Sequence, residues 1–166
     1  MIRIQNFDVP GKGKKRVYEN LVSVGVGRAG DSPNTDLASN QLVQFFLRTF
    51  FKKNPELMPT IPGKGRVFLL DGKPGTQTVE GITRFQAFAT RSGIPLINDS
   101  RVSVATGVNV PNSGKRWTIH ALNSFFVSIE GQEKFDNLFL NKEIEAEAKQ
   151  LHNELVLEEQ RNRVGG

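Results

Sequence analysis

Few side chains in this sequence have the types and the spacing that catalysis requires. The two histidines, His120 and His152, lie far apart, and neither belongs to a His-x-x-x-His or paired His-Asp pattern. Cysteine is absent, which excludes disulfides and thiolate metal sites. The sequence therefore predicts no metal site and no cofactor.

The carboxylates do not suggest a catalytic pair either. A glycosidase needs two Asp or Glu side chains across a sugar cleft, whereas the acidic residues before position 130 lie mostly at turns and helix starts, where capping explains them. The sequence has no Gly-x-Ser-x-Gly motif, and the Gly-Lys-Gly turns at 11–13 and 63–65 lack the spacing of a phosphate-binding P-loop. We therefore expect that the protein is not an enzyme.

The charged residues are distributed unevenly along the chain, whose net charge is +5. Positions 1–129 hold 17 basic and 8 acidic residues, a net charge of +9, and positions 130–166 hold 5 and 9, a net charge of −4. A basic body favours an anionic partner such as cell wall, nucleic acid or an acidic protein surface, and the acidic end favours a basic partner. Ordinary solvated faces would give the same pattern, so charge alone does not select the partner.

The clearest local pattern runs from position 71 to position 88. Asp-Gly and Pro-Gly dipeptides at 71–72 and 74–75 are typical of a turn, and a short polar side chain can then cap the start of a helix. Apolar residues follow three apart and predict a buried stripe, formed by Val79, Ile82, Phe85 and Phe88. The polar residues between them, Glu80, Arg84 and Gln86, are expected to face solvent.

This stretch resembles the Asp-Gly-x-x-Gly-x-x-Thr-x-x-Ala-[Val/Ile/Leu]-x-x-Phe-Gln signature of the small helical peptidoglycan-binding domains. The matching residues are Asp71, Gly72, Gly75, Thr78, Ile82, Phe85 and Gln86, with Gly81 in place of the alanine. The segments 36–37 and 42–47 resemble the preceding helix of that family with one or two extra residues, so the resemblance covers roughly residues 34–92. It implies a helical wall-binding fold in which most motif residues are structural, namely Asp71, Gly72, Gly75, Thr78 and Phe85.

The resemblance also implies where a ligand would bind. It places the ligand in a groove between the two helices, which makes Gln44, Arg84 and Gln86 candidate contacts. Arg116 and Trp117 are further candidates, because an aromatic face beside a cation at a loop–helix junction would suit a sugar ring next to a carboxylate. Packing of Trp117 against the core at the helix start is an equally good interpretation.

The chain divides into three segments with an α+β fold. Residues 1–33 are an N-terminal β arm, with strands at 2–7 and 17–26, a basic turn between them and a linker from 27. Residues 34–130 are the peptidoglycan-binding-like helical domain, with helices near 36–53, 77–91 and 118–127 and short extended pieces at 67–70, 94–97 and 101–110. Residues 131–166 are a charged C-terminal helix and tail, amphipathic through Ile144, Ala148, Leu151 and Leu155.

One helix start is echoed by another. The pattern Thr78-x-x-Gly81-Ile82-x-x-Phe85 aligns with a second one that consists of Thr118, Ala121, Leu122 and Phe125. An internal duplication would explain the echo, and so would two helices that share one capping solution.

Three functional hypotheses follow. We expect a non-catalytic peptidoglycan-binding protein, made in the cytoplasm without a signal peptide or membrane span and incorporated into a phage or phage-like injection particle. The alternative is a structural or assembly protein that reuses the scaffold for contacts with other subunits, through the N-terminal arm and the C-terminal helix, with no glycan affinity. A nucleic-acid binder is the least favoured, since only basic residues and no recognised motif support it: Lys12, Lys14, Lys15 and Arg16.

Overall fold

The computed structural model describes residues 1–25, 36–60 and 67–165. For residues 164 and 165 it describes only the backbone. Its elements are β1 (Ile2–Val9), β2 (Gly13–Asn20), β3 (Val24–Gly25), α1 (Leu37–Lys53), a 3₁₀ turn (Pro55–Leu57), α2 (Thr76–Arg91), β4 (Arg101–Val102), α3 (Thr118–Glu130), α4 (Gln132–Asp136), a second 3₁₀ turn (Leu138–Leu140), α5 (Lys142–Glu147) and α6 (Lys149–Gly165). The fold is α+β with an N-terminal hairpin and a C-terminal helix, as the sequence predicts. The predicted linker at 27–35, the strand residue Val26 and the Gly-Lys-Gly turn at 63–65 lie outside the described residues.

The N-terminal hairpin is an antiparallel pair, β1 with β2, in a register that pairs Ile2 with Asn20 and Val9 with Gly13. A Pro-Gly turn closes it, with Gly11 at φ 75°, a conformation that glycine adopts without strain. The predicted turn was too long, because β2 begins at Gly13 and the basic residues 14–16 are part of the strand. The second strand was also predicted too long, since β2 ends at Asn20 and 24–25 pair with β4 in a separate two-stranded sheet.

Helix α1 lies at the centre of the molecule and confirms the predicted helix at 36–53. Asp36 caps it by accepting a hydrogen bond from the Ser39 amide at 2.9 Å. Buried residues surround its whole circumference, so it is a core helix and not a surface helix. Its Phe50 ring meets the rings of Phe85 and Phe125 edge-on, at centroid distances of 5.1 and 5.5 Å. This aromatic cluster joins α1, α2 and α3 into one core.

Helix α2 carries the predicted stripe. Ile82 and Phe85 are completely buried, and Val79 and Phe88 are half-buried. The prediction that Gln86 faces solvent is wrong, because this side chain is also completely buried. Gly81 lies against the Phe68 ring, so that a Cβ built on it would be 2.9 Å from Phe68 Cε2. This close contact leaves no room for a larger side chain at position 81 unless the ring shifts.

The C-terminal segment packs back on the body. The predicted stripe of Ile144, Ala148, Leu151 and Leu155 is completely buried. The prediction of a single helix is wrong, because the segment is divided into α4, a 3₁₀ turn, α5 and α6, with the last break at Ala148, where φ is −135°. Residues of the hairpin, the central helices and this segment belong to one hydrophobic core.

The extended pieces are shorter than the sequence suggests. Of the segments 94–97 and 101–110, only Arg101–Val102 forms a strand, and residues 67–70 have no regular secondary structure. None of the helices in the described parts of the chain is long and apolar enough to cross a membrane.

Replacing Gly81 by alanine should destabilise the protein, although alanine is the better helix former by about 1 kcal/mol. The added methyl group would be pressed into the Phe68 ring, and overpacking of this kind costs about 1–3 kcal/mol. We expect Gly81→Ala to lower the free energy of unfolding by about 1 kcal/mol, and to stabilise a Phe68→Leu background. Urea denaturation of the four proteins of this double-mutant cycle measures both effects. An equal loss in the two backgrounds would show that the ring contact is not the cause.

Candidate functional site

The loop that contains Asp71 and Gly72 is held by one buried side chain, that of Gln44 on α1. The Gln44 amide nitrogen lies 3.1 Å from Asp71 Oδ1, 3.0 Å from the Lys73 carbonyl oxygen and 3.1 Å from Thr78 Oγ1. Its amide oxygen accepts a hydrogen bond from the Gly72 N–H at 2.9 Å. We call this arrangement, a helix glutamine whose amide binds the following loop and the next helix start, a glutamine clasp.

A second glutamine clasp is formed by Gln86 on α2. Its amide nitrogen lies 3.2 Å from Asp99 Oδ1, 2.9 Å from the Arg101 carbonyl oxygen and 3.0 Å from Thr118 Oγ1. Its amide oxygen accepts from the Ser100 N–H at 2.9 Å. The helix-start echo in the sequence is thus one part of an arrangement that the structure builds twice.

The two loops share their backbone geometry as well. Gly72 has a φ of 73° and Ser100, in the same place of the second loop, has a φ of 59°. In each loop the preceding aspartate, Asp71 or Asp99, accepts a hydrogen bond from the amide two positions later. Gly75, by contrast, has no positive φ, and a Cβ added there would have no atom within 4 Å, so its place at the α2 N-cap does not require glycine.

The predicted ligand contacts are not brought together. Gln44 and Gln86 lie inside the fold with their amides engaged, 1% and 0% exposed. Arg84 is exposed and donates to the Leu57 carbonyl oxygen at 2.9 Å. Trp117 is half-buried and packs against the core, which favours the core interpretation over sugar stacking. Of the five predicted residues, only Arg116 lies in the large cleft described next.

A cleft of about 1200 Å³ lies between the hairpin and α3. Strands β1 and β2 form one wall, α3 from His120 to Val127 and α4 form the other, and the 108–116 loop also contributes to the lining. Five of its lining residues are basic and two are acidic: Lys12, Lys14, Lys15, Arg16 and Arg116 against Asp8 and Asp136. We call this feature the basic cleft.

Most of the cations in the basic cleft are uncompensated. Arg16 is engaged, since it forms an ion pair with Glu159 and donates to the Tyr18 hydroxyl at 3.2 Å and to the Asp136 carbonyl oxygen at 3.1 Å. The other four, Lys12, Lys14, Lys15 and Arg116, are exposed and form no ion pair with any residue that the structure describes. An anionic ligand would find four available cations here.

A buried ionic cluster supports the floor of the cleft. Glu19 on β2 is completely buried and accepts from Arg3 Nε at 2.6 Å, and it lies 2.5 Å from His120 Nε2. Burial raises the pKa of Glu19, but the hydrogen bonds and charges of His120 and Arg3 outweigh this effect and hold the pKa below its ordinary value. His120 in turn meets the Phe7 ring edge-on at 5.5 Å. The cluster therefore fixes β1, β2 and α3 relative to one another.

Among the described residues no group of three or more His, Asp or Glu side chains could hold a metal ion.

The basic residues of the hairpin are visible in the sequence, but the sequence predicts that they form a turn, and they support only the least favoured hypothesis. The sequence signal that could have placed these residues in a strand is the period-two alternation, which puts Lys14 and Arg16 on one face of β2 and Lys15 on the other.

The chain matches no protein-family model, no curated protein and no solved structure.

Replacement of either clasp glutamine by methionine should lower stability and leave ligand affinity unchanged. Gln44→Met removes several buried hydrogen bonds and leaves their loop partners unsatisfied, so we expect a loss of about 2–4 kcal/mol in the free energy of unfolding. Gln86→Met should cost a similar amount. Urea denaturation measures both, with Gln150→Met on the exposed side of α6 as the control. If the two variants were as stable as wild type but no longer bound the ligand, the glutamines would be contacts of the binding site.

The buried cluster at Glu19 predicts an acid-dependent loss of stability. Because the pKa of Glu19 is lower in the folded than in the unfolded protein, its contribution is complete above the unfolded pKa and is lost as the pH falls through the folded pKa. We expect Glu19→Gln to cost about 3 kcal/mol at pH 7 and progressively less toward pH 3. Unfolding midpoints over this pH range measure the difference, with the exposed Glu56→Gln as the control. A constant difference between wild type and Glu19→Gln would show that the carboxylate charge is not responsible.

Proposed function

We propose that the protein is a non-catalytic peptidoglycan-binding protein and that the basic cleft is its binding site. The observation that carries this proposal is the position of four available cations in one cleft of about 1200 Å³. Peptidoglycan is a polymer whose peptide stems carry carboxylates, so it presents the charge that this cleft lacks.

The dimensions of the cleft favour a polymer segment over a small molecule. Pockets for small ligands usually measure about 300–1,000 Å³ and enclose most of the ligand. The basic cleft is larger and is partly open to solvent. An internal segment of a polymer can therefore bind in the cleft, and no chain end has to pass through it.

Binding without catalysis is proposed because the histidine of the cleft and one of its two carboxylates already have partners within the protein. His120 is bound to Glu19, and Asp136 accepts a hydrogen bond from the Gln132 amide at 2.9 Å. A general acid or base must instead be directed at the substrate.

Assembly with other subunits is the second candidate function. The hairpin and α6 were expected to supply the contacts, and both pack extensively on the body, so a partner subunit would have to use their outward faces. Incorporation into a phage or phage-like particle stays a prediction from the sequence.

Retention by insoluble peptidoglycan sacculi tests the proposal. We expect the wild-type chain to co-sediment with sacculi at about 150 mM salt. Lys12→Glu/Lys15→Glu changes the formal charge of the cleft lining from +3 to −1 (five basic minus two acidic, then four fewer), and should reduce retention at least about tenfold.

The control variant, Lys73→Glu/Lys149→Glu, makes the same change in net charge at two exposed sites outside the cleft, and should be retained like wild type. Absence of wild-type retention would contradict wall binding and favour the assembly function. Equal loss in both variants would show a general charge effect without a defined site. Retention of RNA in preference to sacculi would move the assignment to nucleic acid.

A further inference from the structure

The basic cleft has a feature that charge alone does not describe: one of its walls is an open strand edge. The backbone N–H of Tyr18 on β2 donates to Asn123 Oδ1 at 2.8 Å, so this residue directs its backbone groups away from β1. Outward and inward residues alternate along a strand. Lys14 and Arg16 therefore direct their N–H and C=O groups outward as well, toward α3 and α4.

The register supports this assignment from the other strand. Tyr18 pairs with Ile4, Arg16 with Asn6 and Lys14 with Asp8. The N–H of Ile4 points outward too, toward Glu158 at 3.4 Å, as it must if Ile4 and Tyr18 form a pair without mutual hydrogen bonds.

The outer edge of β2 is satisfied at one end and open at the other. Asn123 on α3 binds both backbone groups of Tyr18, by accepting from the N–H and donating to the carbonyl oxygen at 2.8 Å. Beyond this point no described residue binds the backbone groups of Lys14 or Arg16. Asn123, which binds this edge at Tyr18, lines the cleft together with Lys14 and Arg16, so the open part of the edge borders the cleft.

The cleft also lacks the aromatic surface that a sugar ring would need. Tyr18 is completely buried and Trp117 packs on the core, and neither residue lines the cleft. Phe7 and Phe135 do line it, but the Phe7 ring is half-buried and is engaged with His120, and Phe135 is 1% exposed. Recognition here must therefore come from backbone hydrogen bonds and charge.

We infer that the open edge of β2 binds an extended peptide bearing carboxylates, as an added β-strand, and that the ligand recognised in peptidoglycan is the peptide stem and not the glycan. This inference rests on the proposed function. The outward N–H and C=O groups of Lys14 and Arg16 offer four backbone hydrogen bonds to such a strand. The side chains of Lys12, Lys14 and Lys15 would bind its carboxylates.

Amide hydrogen exchange on the full chain tests this binding mode directly. The probe is a soluble, uncrosslinked peptidoglycan peptide stem with free carboxylates. On binding, the amides of Lys14 and Arg16 should exchange at least about tenfold more slowly, whereas those of Lys15 and Val17, which already bond to β1, should change less than about twofold. Protection that does not alternate along β2 would overturn strand addition.

Two further probes separate the parts of the ligand. The same stem with its carboxylates amidated should bind at least about tenfold more weakly, because the lysine contacts are lost. Peptide-free glycan strands should not bind. Glycan strands that bind while the stem does not would overturn the inference and leave the proposed function intact. Failure of sacculi and of both probes would overturn the two together.

A pair of substitutions at one position separates backbone from charge. Lys14→Gln keeps the outward N–H and removes the charge, whereas Lys14→Pro removes both and leaves the β1–β2 ladder intact, since this N–H is not part of the ladder. We expect stem affinity to fall several-fold in Lys14→Gln and at least about tenfold more in Lys14→Pro, with thermal unfolding as the check on folding. Equal affinities of the two variants would overturn the backbone contact. A peptide of L-aspartate and L-glutamate that binds tenfold better than the stem would identify an acidic protein segment as the ligand, and would also overturn the inference.

Discussion

Two buried glutamine amides determine where this chain can turn between its central helices. A loop that passes close to a hydrophobic core brings backbone N–H and C=O groups that must be satisfied, and a primary amide offers a donor and an acceptor together. Gln44 uses both for the first loop and Gln86 uses both for the second. Each glutamine also binds the threonine of the next helix, so the loop and the following helix are positioned by one side chain.

The need to pair outward backbone groups by hydrogen bonds also explains why the two edges of the hairpin differ. On β1, the outward N–H groups of Ile2 and Ile4 bind Glu154 and Glu158 of α6. Four residues of a helix rise about 6 Å and two residues of a strand about 6.8 Å. Carboxylates four positions apart on a helix can therefore accept hydrogen bonds from every second N–H of a neighbouring strand. On β2, Asn123 makes the corresponding contact once, and α3 then diverges from the strand to leave the basic cleft. A covered edge resists association with other strands, whereas an open one can accept a strand.

The sequence predicted what depends on periodicity and on local chemistry. The helices at 36–53 and 77–91 and the buried C-terminal stripe follow from apolar spacing and capping, and all three are present. Gln86 was misplaced because a polar residue beside an apolar stripe is normally solvated, and only the loop at 99–101, which is distant in sequence, shows why it is buried. The cleft could not be predicted either, since it depends on the docking of a hairpin on α3 through the contact of Tyr18 with Asn123, 105 residues apart.

The distribution of charge in the sequence takes on a different meaning in the fold. The acidic C-terminal segment suggested a basic partner, but its carboxylates bind the body itself: Glu147 and Glu143 contact Arg48, and Glu159 contacts Arg16. These pairs are at least partly buried on one side, so salt screens them less than it screens exposed charges. Compensation of basic residues within the body leaves the exposed lysines of the hairpin as a concentrated positive charge. Moderate salt should therefore weaken the binding of an anionic ligand well before it weakens the fold. The lysines that would bind the ligand are exposed and are screened by salt, whereas the ion pairs that hold the fold are partly buried and are screened less.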